Sequence, residues 1–199
     1  MYKCIFSGHC VEAQCDKSCP ILAQTSYLLD RNEIAMNNSV FKMGKSNIDK
    51  YTSVLSQCKG HCRTFLNTSN ISSTSTVADA LTYCAICENW KGSQLHCTVY
   101  NLKFSKYIEQ LQKSWSSKDD SSPAEYLKIW ATTAKVLIIS NIDYVNFKDF
   151  QSQTLLSLLN DRTDPDLTTI VVSPQLSSLV GDGPFFTKLV DVLGRQKVN

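Results

Sequence analysis

Two periods of apolar and polar residues alternate along this chain, and the change from one to the other locates its elements. Residues 135–140 (KVLIIS) hold a continuous apolar run, as expected for a strand buried on both faces, and 167–173 (LTTIVVS) predict another buried strand. Residues 62–67 (CRTFLN) and 96–102 (HCTVYNL) predict two more strands. Helical spacing predicts helices at 21–32, 48–58, 75–90, 103–115, 123–134, 147–162 and 183–195. In the fourth of these, Phe104, Tyr107, Ile108 and Leu111 share one face. Ser122 and Glu125 form a capping box for the fifth, with Pro123 at its first position. From residue 62 onward the order is βαβααβαβα, which predicts an α/β domain: a parallel sheet flanked by helices.

The 199 residues suffice for one domain and a small appendage. We expect an N-terminal module at 1–32, a polar linker at 33–47 and the α/β domain at 48–199. A net charge of +2 gives no general electrostatic drive toward nucleic acid. No segment reaches the roughly 20 apolar residues that span a bilayer, and the first ten residues do not read as a signal peptide. The expectation is a cytoplasmic protein without a membrane partner. The sequons at Asn37, Asn67 and Asn70 then carry no meaning.

In an open parallel sheet, ligands bind beyond the carboxyl ends of the strands. Three loops lie at such ends, after Leu66, Ile139 and Val172. The segments TFLNTSNISSTSTVADAL, CTVYNLKFSKYIEQLQ, VLIISNIDYVNFKDFQSQTLLSLLNDR and TTIVVSPQL follow one another in order. In order and spacing they resemble the ATPase domain of AAA+ proteins, in particular helicase loaders of the DnaC/DnaI type and their phage relatives, over about residues 48–195. The resemblance implies a P-loop fold with a degenerate nucleotide site. On the family's G-x-x-x-x-G-K-[ST], Asn67 and Ser72 stand at the glycines, Ser73 at the lysine and Thr74 at the magnesium-coordinating hydroxyl. The glycines allow close backbone approach to phosphate, and the lysine neutralises its charge. Where the family has Walker B acids, this chain has Ser140 and Asn141, with Asp143 beyond. Magnesium thus lacks its carboxylate pair. Ser173 would stand at sensor 1, followed by Pro174, and Arg195 would be a remnant finger or sensor arginine.

The resemblance therefore implies a pseudo-ATPase that binds no ATP and works as a replication accessory protein. Its partner would be a DnaB-type replicative helicase or another AAA+ subunit. Other readings stay open: an unrelated α/β domain whose Ser72–Thr74 run only caps a helix, or an unorthodox nucleoside triphosphatase using Thr74 and Asp143. A third is a metal-dependent nucleic-acid binder or redox sensor. Lys103, Lys106 and Lys113, with Tyr107 and Trp115 nearby, would offer charge and stacking to single-stranded DNA. The same residues also fit a solvated helix face with a buried tyrosine.

Nine cysteines in a reducing compartment favour metal ligands or buried thiols over disulfides. Cys4, Cys10, Cys15 and Cys19 form C-x5-C-x4-C-x3-C, a set suited to tetrahedral zinc. Cys15–Pro20 (CDKSCP) also matches the end of a ferredoxin run, so an iron–sulfur cluster is the alternative. Such clusters precede the ATPase domain in DnaI-like loaders. Cys84 and Cys87 fall inside a helix, not at its N-terminus, and are expected to be buried thiols; Cys58 and Cys62 are read the same way. His9, His61 and His96 are scattered, and Asp161, Asp164 and Asp166 read as a solvated turn. The Met43–Ser46 string MGKS lacks the upstream glycine and strand of a P-loop.

Overall fold

A computed structural model describes residues 20–34, 45–58, 63–67, 71–89, 99–116, 123–162, 167–174, 183–193 and 197–198. Two helices come first, α1 (Pro20–Arg31) and α2 (Lys45–Gln57). Then follow β1 (Arg63–Asn67), α3 (Ile71–Asn89), β2 (Val99–Lys103), α4 (Phe104–Ser116) and α5 (Pro123–Thr133). The chain continues through β3 (Val136–Ser140), a 3-10 turn (Ile142–Tyr144), α6 (Asp149–Asn160), β4 (Thr168–Ser173), α7 (Pro184–Leu193) and β5 (Lys197–Val198).

The strands form one sheet in the order β2-β3-β4-β1-β5. Every pairing is parallel. The connection from β1 to β2 runs one way across the sheet, and the later ones run back. Right-handed crossovers then require α3 on one face and the later helices on the other. The packing agrees. Leu66, Val99, Val136, Ile138, Ile170 and Val172 join side chains of α1, α2 and α3 in one core. Tyr100, Leu102, Leu137, Ile139 and Val171 join α4, α5, α6 and α7 in the other. Alternate residues of one strand thus serve opposite cores. β3 and β4 are buried throughout, as expected of strands covered on both faces.

The packing runs across one expected boundary. Leu28 and Leu29 of α1, and Ile34 just after it, lie in the core with α2 and α3, and Ile34 is 1% exposed. A division after Asn32 therefore cuts through a packed contact. The turn ending α1 also grips β2. Asn32 Oδ1 accepts the Asn101 backbone N–H at 2.7 Å. Glu33 pairs with Lys103 (3.0 Å) and with Lys106. The Arg31 guanidinium lies 4.1 Å from the centre of the Trp130 ring, a cation–π contact.

The amino end of the sheet is held by a buried arginine, Arg162, which is 1% exposed. Its Nε donates to Thr169 Oγ1 at 2.8 Å. Nη1 donates to the carbonyls of Ala131 (2.5 Å) and Ala134 (2.9 Å), and Nη2 to that of Thr168 (2.8 Å). Two of these carbonyls belong to the last turn of α5 and the residue after it, which have no partner within the helix. Cation and helix C-terminus also attract through the helix dipole.

Candidate functional site

The reversal of strand progression fixes where a crevice opens. The helix after β1 goes to one face of the sheet, and the connection after β4 carries α7 on the other. Their carboxyl ends therefore diverge, which is where open parallel sheets bind ligands. At this point Asn67 is in register with Ser173. On the other side of β4, β3 pairs as far as Ile139 with Val171, so Asn141 lies level with Ser173. The expected degenerate Walker B and sensor positions thus stand side by side with the end of β1.

α3 begins earlier than its sequence pattern predicts. Its first residue is Ile71, so Ser72, Ser73 and Thr74 are wound into the opening turn. Only residues 68–70 separate strand from helix, and the last four positions of the aligned phosphate loop, 71–74, are helical. Thr74 is buried, 1% exposed. The hydroxyl and β-branched residues at 71–74 are weak helix formers, and burial of α3 against the sheet overrides that preference.

Ser140 points into the α3 side of the sheet. Its Oγ donates to Asn101 Oδ1 at 2.8 Å, and Asn101 Nδ2 donates to Asp79 Oδ1 of α3 at 3.3 Å. The hydroxyl at the first Walker B position is therefore engaged in a buried network. Asn141 takes the left-handed conformation (φ 57°, ψ 31°), which asparagine tolerates better than most residues. That turn starts the 3-10 turn carrying Asp143, which packs on β4 and α4. Burial raises the Asp143 carboxyl above its ordinary pKa, and the nearby amide of its own backbone offsets this only in part.

The candidate nucleic-acid face is not assembled as expected. Tyr107 is buried in the α4–α5 core, so its ring is not available to stack on a base; desolvation raises its hydroxyl pKa. Lys103 and Lys106 share Glu33, and Lys113 pairs with Glu109 one turn away on α4. Burial pushes the Glu33 carboxyl upward, yet its bonds to Lys106 and Lys103 outweigh this and leave it lowered. Trp115 is 65% exposed but meets Phe150 edge-on, with ring centres 4.7 Å apart.

The thiols described form no disulfide and are packed. Cys58 and Cys84 are buried and Cys87 is partly buried. Desolvation, then the neighbouring Cys87, pushes the Cys84 thiol up to about 12, so it is protonated and unreactive at neutral pH. Among the described residues no three His, Cys, Asp or Glu side chains are grouped to hold a metal. Cys4, Cys10, Cys15 and Cys19 lie outside the described residues, as do Cys62, Cys97, the three histidines and Arg195. Asp161 pairs with Lys128 at 3.0 Å across exposed surface, as a solvated turn predicts. Its neighbour Arg162 was not legible as a buried group.

No protein-family model matches this chain, and no curated protein matches it. Among solved structures it is similar to AMPPCP-bound DnaA from Aquifex aeolicus, at 10% identity and a TM-score of 0.46. That similarity covers 78% of this chain and 46% of the DnaA chain, so the chain spans less than half of it. No described helix is long and apolar enough to cross a membrane.

Proposed function

We propose that this chain is a non-catalytic, AAA+-like adaptor of helicase-loader type that acts through protein contact. One observation carries the reading: Ser140, at the Walker B position, is tied through Asn101 to Asp79 in a buried network, and the acid that follows it in the chain is the partly buried Asp143. A magnesium triphosphate needs carboxylates on the metal and a cation on the phosphates. The positions aligned with those groups carry hydroxyls and amides, apart from Asp143. The sheet order supports a common ancestry of site. It sets the ends of β1 and β3 on either side of β4, so both loops open on one crevice. A phosphate loop and a metal-holding strand need that proximity to share one nucleotide.

In this reading the partner is a DnaB-type helicase or another AAA+ subunit. Cys4, Cys10, Cys15 and Cys19 form a zinc-bound contact module, with an iron–sulfur cluster as the alternative occupant. Four thiolates fill a tetrahedral zinc ion, so its role is to supply folding energy. Affinity purification from the native host, with metal analysis of the same sample, tests both parts. A co-purifying helicase and one zinc per chain are expected. Calorimetry with magnesium ATP should show no tight binding. Hydrolysis that disappears in Asp143→Ala would replace this reading with an unorthodox triphosphatase.

A further inference from the structure

Five buried side-chain polar atoms among the described residues lack a hydrogen-bond partner. One is Arg31 Nε, in a guanidinium already stacked on Trp130. The other four are oxygens at the carboxyl end of β3 and β4: Asn141 Oδ1, Asp143 Oδ1 and Oδ2, and Ser173 Oγ. Leaving such groups bare is costly, so native proteins seldom do it without a reason. Ser173 is fully buried, at 0% exposure. Asn141 is held beside it in left-handed conformation, and the 3-10 turn sets Asp143 against β4.

Carboxylate and amide oxygens only accept hydrogen bonds, and a serine hydroxyl can accept as well as donate. We infer that this crevice accepts a cationic N–H donor, a guanidinium or alkylammonium group, in place of the nucleotide that its position in the fold would suggest. A guanidinium offers several donors in one plane and matches a carboxylate in a bidentate fork. Its charge also offsets the partly buried Asp143 carboxylate, which water does not do. A hard divalent ion fits less well, since it prefers several carboxylates or phosphates and the described set holds one. The group can come from a free small cation or from an arginine or lysine of a partner protein. The inference rests on the reading that the crevice holds no triphosphate.

The test uses the full chain and four probes: agmatine, N-acetyl-arginine methylamide, magnesium chloride and magnesium ATP. Binding is read from the NMR signals of the Asn141 side-chain amide and the Asp143 carboxyl. Both guanidinium probes should shift these signals saturably, and Asp143→Asn should weaken binding about tenfold or more. Ser173→Ala should weaken it less, and the near-isosteric Asp143→Asn keeps the test open if the Ser173 variant misfolds. Equal binding of the capped arginine amide assigns the site to a partner side chain; binding of agmatine alone assigns it to free cations. Silence with both guanidinium probes, unchanged affinity in Asp143→Asn, or saturation by magnesium chloride alone overturns the inference. If magnesium ATP is silent too, the adaptor reading survives that failure; if magnesium ATP binds tightly, both fall.

Discussion

The two ends of the sheet are built on opposite terms. At the amino end, Arg162 brings a buried charge that meets carbonyls and a hydroxyl from α5, the residue after it, and β4. At the carboxyl end, Asn141, Asp143 and Ser173 bury side-chain oxygens that lack a hydrogen-bond partner. Both ends are polar and both lie under helices, so polarity alone does not separate them. Satisfaction does. A fully bonded buried group fixes structure, whereas a bare one stores a cost that a ligand can relieve.

The contrast is broken most directly at Arg162. Arg162→Ala leaves the carbonyls of Ala131, Ala134 and Thr168 without their donor and should lower stability by at least about 3 kcal/mol in urea unfolding. Arg162→Lys should recover little of this, because one ammonium cannot reach the same spread of acceptors. Asn32→Ala removes the acceptor for the Asn101 N–H and should cost about 1–2 kcal/mol by the same measurement.

At the other end the sign reverses. The Asp143 pKa is raised on folding, so its favourable contribution is present below the ordinary value of 3.8 and is lost as pH rises through the folded value. Asp143→Asn should therefore raise Tm at neutral pH by about 1–3 °C, and the gain should vanish in acid. Loss of stability at pH 7 would show that the carboxylate is paired after all. The smallest effect is expected at Glu33, whose pKa is lowered overall. Its contribution is present above the ordinary value of 4.5 and is lost as pH falls through the folded value. Because the group is exposed and screened, Glu33→Gln should cost under about 0.5 kcal/mol at neutral pH, and less in high salt.

How much of this the sequence disclosed depends on what each residue needs from its neighbours. β3 and β4 were legible because burial on both faces leaves the apolar stretches Val136–Ile139 and Ile170–Val172 in the chain itself. The start of α5 was legible because Pro123 and Glu125 act locally. The start of α3 was not. Ser72, Ser73 and Thr74 favour caps and turns, and packing on both sides of the helix overrides them. α3 buries Ala78, Ala80, Leu81 and Thr82 almost in succession, which blurs the helical period. β5 pairs only Phe65 with Lys197 and Leu66 with Val198, too short to leave a pattern. The Arg162 clamp was hidden because two of its acceptors are backbone carbonyls about 30 residues upstream, and its neighbours Asp161, Asp164 and Asp166 read as a solvated turn. The open oxygens of the candidate site were likewise invisible. Asn141, Asp143 and Ser173 were singled out by their place in the chain, but their lack of partners exists only in three dimensions.

The Asn32 contact has a wider consequence. β2 borders the sheet, and a bordering strand normally presents amide groups that a second chain can extend. Here the amide at Asn101 is already taken by a side chain from the turn after α1. Continuous growth of the sheet past β2 would require that turn to be prised away, so a second chain should meet this border as a finished surface and not as an added strand.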